Sequence, residues 1–203
     1  MSAQNTGRYS VGQEIIGINF CYEGRKIAGV LIPYIYNDEK PSRIVFNKLT
    51  VTEHHKVPWD QDSSENPEKK YDGYKLIDPS GRIWTNQYPR ASYGQTSDGA
   101  NYQFNPELKE GETWKSYWES DETCEFLNVV SYYGNLMRGV AEFDKDASGA
   151  SLADQEWRAL MRTRLAELKA EIDERIKTEY GLVFKSKPLY NGSKTLTWYL
   201  EKE

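Results

Sequence analysis

The two histidines of the chain, His54 and His55, are adjacent, and its two cysteines are Cys21 and Cys124. An imidazole can serve a thiol as general base, so a Cys–His pair is the first chemistry to weigh. Neighbours on a strand point to opposite faces, so both rings reach one site only across a bulge. The plainer arrangement is one exposed and one packed imidazole. Other reactive signatures are missing: no glycine-rich nucleotide fingerprint after a strand, no Walker loop, no C-x-x-C and no H-E-x-x-H. Ala91-Ser92-Tyr93-Gly94 lacks the first glycine of a nucleophile elbow. No catalytic residue, metal site or cofactor is expected, and the reading leans away from an enzyme.

One metal motif is half complete. Asp144, Asp146 and Ser148 with Gly149 match the first half of a calcium loop, with oxygen ligands at alternate positions and glycine at the sixth. The second half departs from the pattern. Ser151 stands where an apolar residue belongs, and Gln155 replaces the bidentate glutamate, which removes a charge and two-oxygen ligation. A polar loop ending in a serine helix cap explains the same residues.

Two segments carry chemistry of recognition. From Trp84 to Phe104, aromatic residues alternate with amides, hydroxyls and one arginine. Trp84, Gln87, Tyr88, Arg90 and Tyr93 would suit a nucleotide or a sugar, with Arg90 as anion anchor. The competing reading is that the aromatic rings pin a long loop to a sheet. The second segment, 105–125, holds Glu107, Glu110, Glu112, Glu119, Asp121, Glu122 and Glu125 against Lys109 and Lys115, which equals the whole net charge of −5. If it is helical, Trp114, Tyr117 and Trp118 share a face ringed by Glu112, Glu119, Asp121 and Glu122. Aromatic anchors with a charged rim describe a docking surface, and the local field would steer a basic partner.

The elements that must position these residues follow from periodicity. Ile15 to Tyr22, Ile27 to Tyr36 and Arg43 to Val57 are rich in β-branched and aromatic residues and read as three meandering strands. Residues 58–70, with two prolines, read as a surface loop. Asp78-Pro79-Ser80-Gly81 places proline and glycine where a type I turn prefers them, so 74–85 reads as a hairpin. Residues 86–123 read as a long irregular segment. Cys124 to Tyr133 and Leu136 to Phe143, separated by Gly134-Asn135, read as a second hairpin. A helix through 124–133 competes, but the Val-Val and Tyr-Tyr pairs favour strand.

Over 151–180, Trp157, Leu160, Met161, Leu165, Leu168, Ile172, Ile176 and Tyr180 recur at helical spacing, with Ser151 and Gly181 as caps. A last hairpin turns at Asn191-Gly192. The expected fold is α+β: a twisted antiparallel sheet of hairpins and meander with one long amphipathic helix packed on it, residues 1–203 forming a single domain.

Composition narrows the partners. Hydrophobic residues are 38% and charged residues 28%, which favours neither disorder nor membrane insertion. No basic stripe exists to displace phosphate counterions, so direct nucleic-acid binding is not expected. The start carries no apolar leader and the chain has few cysteines, so reduced thiols in a cytoplasm are expected. The functional expectation is a non-catalytic protein that docks a basic macromolecular partner through the acidic–aromatic segment, as an inhibitor or nucleic-acid mimic. The alternative is a nucleotide- or sugar-binding protein or enzyme using Trp84 to Phe104.

Overall fold

The computed structural model describes residues 9–22, 25–29, 43–58, 70–86, 103–119, 126–146 and 148–203. Backbone contacts divide the chain into two compact units. The described part of 6–129 lies in one, and 130–203 belongs to the other.

Among the described residues, the first unit has seven strands: β1 (Glu14–Tyr22), β2 (Arg25–Gly29), β3 (Arg43–Pro58), β4 (Lys70–Ile77), β5 (Ile83–Asn86), β6 (Gln103–Pro106) and β7 (Phe126–Asn128). Their order is β2-β1-β3-β4-β5-β6-β7, every pairing is antiparallel, and β7 also pairs with β1. The expected antiparallel strands are therefore present, but the open sheet is corrected to a closed one. β1, β3, β4, β5, β6 and β7 form a six-stranded barrel, and β2 joins β1 beyond the stretch that β7 occupies.

Gly17 permits the closure. It lies opposite Asn128, and a Cβ placed on it would stand 2.7 Å from Phe126 Cβ. Only the residue without a side chain lets β7 approach that closely. Inside, alternate positions of the strands supply Ile15, Leu49, Val51, Tyr74, Leu76, Trp84, Phe104 and Phe126, all buried. Tyr9 joins them from the N-terminal side; its amide donates to the Tyr74 hydroxyl (3.2 Å), and Asn128 Nδ2 donates to its own hydroxyl (2.8 Å). Burial pushes the Tyr9 phenol far above its ordinary pKa, so it stays neutral and hydrogen-bonded.

The second unit carries a different structure. The expected hairpin at Cys124 to Phe143 is corrected. Among the described residues of this stretch only Phe126–Asn128 is strand, and helix α2 (Val129–Phe143) follows at once, after the short helix α1 (Trp114–Glu119) of the first unit. Within α2, Tyr132, Tyr133, Leu136 and Phe143 are buried at helical spacing. That packing outweighs the strand preference of the Val-Val and Tyr-Tyr pairs. Gly134 and Asn135, read as a hairpin turn, sit in mid-helix, and the Asn135 side chain accepts from Arg138 one turn on.

Helix α3 (Leu152–Tyr180) matches its expected limits. Asp154 N–H donates to the Ser151 hydroxyl at one end, and Gly181 closes the other in a left-handed conformation (φ 65°). Met161, Leu165, Leu168, Ile172 and Ile176 are buried, whereas Trp157 and Leu160, expected on the same stripe, are nearly half exposed. Strands β8 (Leu182–Pro188) and β9 (Leu196–Lys202) form a two-stranded antiparallel sheet, with β8 against α3.

Tyr133 ties this unit together. Its ring stacks on Phe184 at 3.7 Å between centroids and meets Trp198 edge-on at 5.1 Å. Burial, and then the neighbouring Asp173 carboxylate, raises its hydroxyl pKa strongly. Among the described residues, no helix is long and apolar enough to cross a membrane.

Candidate partner-binding surface

The barrel register places the described ends of the two segments. Ile77 lies opposite Ile83, and Trp84 lies opposite Pro106, so the 78–82 turn and the chain leaving β6 share one end of the barrel. Asn86 and Gln103, which bracket 87–102, lie at the other end. Trp84 and Phe104, the limits of the aromatic–polar segment, are both barrel core. Gln87, Tyr88, Arg90 and Tyr93 lie outside the described residues.

At the first end, the Asp78 turn is built around one carboxylate. Its Oδ1 accepts the Ser80 amide (2.9 Å), the Ser80 hydroxyl (2.6 Å) and the Arg82 amide (3.0 Å). Its Oδ2 accepts Trp84 Nε1 (3.0 Å) and Asn47 Nδ2 (3.2 Å). Partial burial works against the charge, but these donors prevail and hold the Asp78 pKa below its ordinary value. The φ of 83° at Gly81, left-handed, completes the turn and delivers Arg82 to the barrel rim.

Arg82 is 3% exposed. It donates from both terminal nitrogens to Glu112 (3.0 and 3.1 Å) and once to the Glu107 carbonyl (3.2 Å). Glu112 also accepts the Lys109 amide (2.8 Å). Hydrogen bonds from Arg82, then from that amide, bring the Glu112 pKa down from 4.5 to about 2. The Arg82 guanidinium carbon stands 4.8 Å from the centre of the Tyr117 ring, which is buried against Leu108.

α1 therefore sits on a pinned base. Its entry is locked by reciprocal bonds: the Ser116 amide donates to the Thr113 hydroxyl (3.1 Å), and the Thr113 amide donates to the Ser116 hydroxyl (2.9 Å). Trp114 opens the helix 51% exposed, its ring edge-on to Tyr117 at 6.2 Å. The residues expected to share one face thus take different roles. Tyr117 turns inward, Trp114 stays outside, and Glu112 spends its charge on Arg82. Trp118 and Glu119 occupy the last positions of α1, Glu110 is exposed nearby, and Asp121 and Glu122 lie outside the described residues.

Sequence reasoning missed Arg82 and Asp78 as parts of this surface. The turn was legible, but the partner of Arg82 lies thirty residues away, and no local spacing marks it.

The remaining motifs are placed as follows. The β3–β4 ladder shifts register between Val51 and Glu53, and beyond it His54 stacks on the Tyr74 ring at 4.9 Å. His55 is half-buried, with Nδ1 3.7 Å from Glu53. Cys21 lies on β1 opposite Arg43, and Cys124 is outside the described residues. In the half calcium loop, Asp146 Oδ1 accepts the Ser148 amide (2.9 Å), and Gln155 Nε2 reaches back to the Ala150 carbonyl (2.9 Å). Among the described residues, no group of three or more His, Cys, Asp or Glu is placed to hold a metal. Comparison with family models, curated proteins and solved structures gives no match.

Proposed function

We propose that this chain is a non-catalytic interaction protein that docks a basic macromolecular partner through the rim carrying Trp114 and the acidic segment 105–125, acting as an inhibitor or nucleic-acid mimic. The observation that carries this reading is the exposure of Trp114 on a base fixed by Tyr117, Arg82 and Glu112. A large indole held half in water loses little conformational entropy on binding, because its helix is already capped and pinned. Glu107, Glu110, Glu119, Asp121, Glu122 and Glu125 are the other acids of the segment that would supply the steering charge.

The test is affinity capture on the immobilised chain, followed by kinetics against the purified captured protein at two salt concentrations. A basic partner whose association slows with added salt, and whose binding is lost in Trp114→Ala, supports the reading. A captured partner without a basic surface, or binding that survives Trp114→Ala and disappears in Arg90→Ala, would move the site to the segment from Trp84 to Phe104.

A further inference from the structure

The β8–β9 hairpin has two edges that are not equivalent. The strands pair from Leu182 opposite Lys202 to Pro188 opposite Leu196. Just beyond, the Leu189 amide donates to the Thr195 carbonyl (2.9 Å), and at the other end the Glu203 amide donates to the Gly181 carbonyl (3.4 Å). In an antiparallel ladder, hydrogen-bonded pairs alternate with non-bonded ones. Both observed bonds fall on odd-numbered residues. The backbone groups of Leu196, Trp198, Leu200 and Lys202 therefore point away from β8, and those of Leu182, Phe184, Ser186 and Pro188 point away from β9.

The β8 row is guarded. Pro188 has no N–H to offer, and the exposed Lys185 and Lys187 flank the approach; proline and lysine are the residues that block edge pairing. The β9 row has neither device between Leu196 and Leu200. Leu196 is 49% exposed, and Trp198 and Leu200 are only half-buried. Among the described residues, β9 pairs with β8 alone.

We propose that β9 is the interface through which a second copy of this chain adds, antiparallel, about a two-fold axis beside Tyr199. The bonded pairs are then Leu196 with the partner's Lys202 and Trp198 with the partner's Leu200. Between them, Thr197 faces the partner's Glu201 and Tyr199 faces itself. Every outward backbone group of β9 finds a mate, no like charges meet, and the indole of Trp198 closes over a leucine.

Neighbouring registers fail: centring on Trp198 sets Lys202 against the partner's Lys194, and centring on Leu200 leaves Leu196 without a partner. Centring on Glu201 sets that carboxylate against its own copy, which destabilises a sheet. Centring on Thr197 leaves Leu200 and Lys202 without partners. A second copy is favoured over an unrelated strand because this one strand meets its own two-fold image without conflict, as a closed isologous dimer requires. The resulting four-stranded sheet ends on the guarded β8 edge at both sides.

Sedimentation velocity over a concentration series should show a reversible dimer. Leu196→Lys sets lysine against the partner's Lys202 twice per dimer and should raise the dissociation constant on the order of tenfold, whereas Leu196→Glu should lower it. Leu196 is exposed, so neither change bears on the fold, which circular dichroism checks. Tyr199→Cys should give a disulfide-linked dimer under mild oxidation, above the background of the chain with its own Cys21 and Cys124. Thr197→Cys, which faces Glu201, should not. A chain that stays monomeric throughout overturns the proposal. So does a dimer that the lysine and glutamate variants shift alike, or one that Tyr199→Cys fails to crosslink.

Discussion

Arg82 grips Glu112 with two parallel hydrogen bonds while its guanidinium rests on the ring of Tyr117, so one buried cation joins the 78–82 turn to the entry of α1. The pairing gives the acidic segment a foothold in the barrel. It also sets the acid limit of that foothold. The Glu112 pKa is lowered from 4.5 to about 2, so its stabilising contribution is complete above 4.5 and disappears as pH falls towards 2. Glu112→Gln should lower the melting temperature at neutral pH and flatten its fall across that acid window. Melting curves of both proteins between those limits check the slope, and parallel curves would mean that other carboxylates govern acid unfolding.

Trp114 and Tyr117 are neighbours in space, one exposed and one buried. Tyr117→Ala should destabilise the fold by about 3 kcal/mol, as the loss of a buried ring does. Trp114→Ala should change stability by no more than about 0.5 kcal/mol, yet weaken partner binding by roughly 2 kcal/mol through faster dissociation. Reversing Glu119, Asp121 and Glu122 to lysine should act on the other rate, slowing association and reducing its dependence on salt. Urea melts and binding kinetics on the same variants separate the two roles. Equal binding losses without any kinetic contrast would argue against a rim of steering charge.

Gly17→Ala should cost roughly 1–3 kcal/mol, since the new methyl meets Phe126 Cβ and one of the two strands must move. Shortening Phe126 to alanine should rescue it only in part, because Cγ is removed but the nearer Cβ atom remains. Chemical denaturation of the single and double variants measures the coupling. A neutral Gly17→Ala would show that β7 sits more loosely against β1 than the register implies.

On α3, Leu165→Ala and Leu168→Ala should each cost about 2–5 kcal/mol, while Leu152→Ala, at 72% exposure, should stay within about 0.5 kcal/mol. Lys169 is a poor surface control, because it pairs with Asp173 and lies over the Tyr133 ring. Near-neutral effects at both leucines would contradict the buried stripe.

Local signals carried α3, its caps and the 78–82 turn into the sequence reading, because each is decided within a few residues. The helical stripe was legible, though not which of its members would stay exposed. Barrel closure was not legible. It depends on a three-residue β7 meeting a glycine more than one hundred residues earlier, and neither leaves a periodic trace. α2 was misread because Val129, Val130, Tyr132 and Tyr133 favour strands locally, while burial of one helical face decides the outcome. Within the candidate surface, the aromatic residues and the acids could be seen in sequence, but not that Trp114 stays outside while Tyr117 is buried. That Glu112 serves the fold could not, since its partner is reached only through the turn.

The barrel is also unevenly fastened. β1 and β3 match eight residues along their length, while β5–β6, β6–β7 and β7–β1 are each held by two. A ring opened at one such clasp is still a sheet, with β1, β3, β4 and β5 zipped as before. Amide protons of β6 and β7 should therefore exchange with solvent long before those of β1 and β3, at a free energy below that of global unfolding. Opening at the clasp between β7 and β1 would loosen Asn128 from Tyr9 and admit water to the buried phenol.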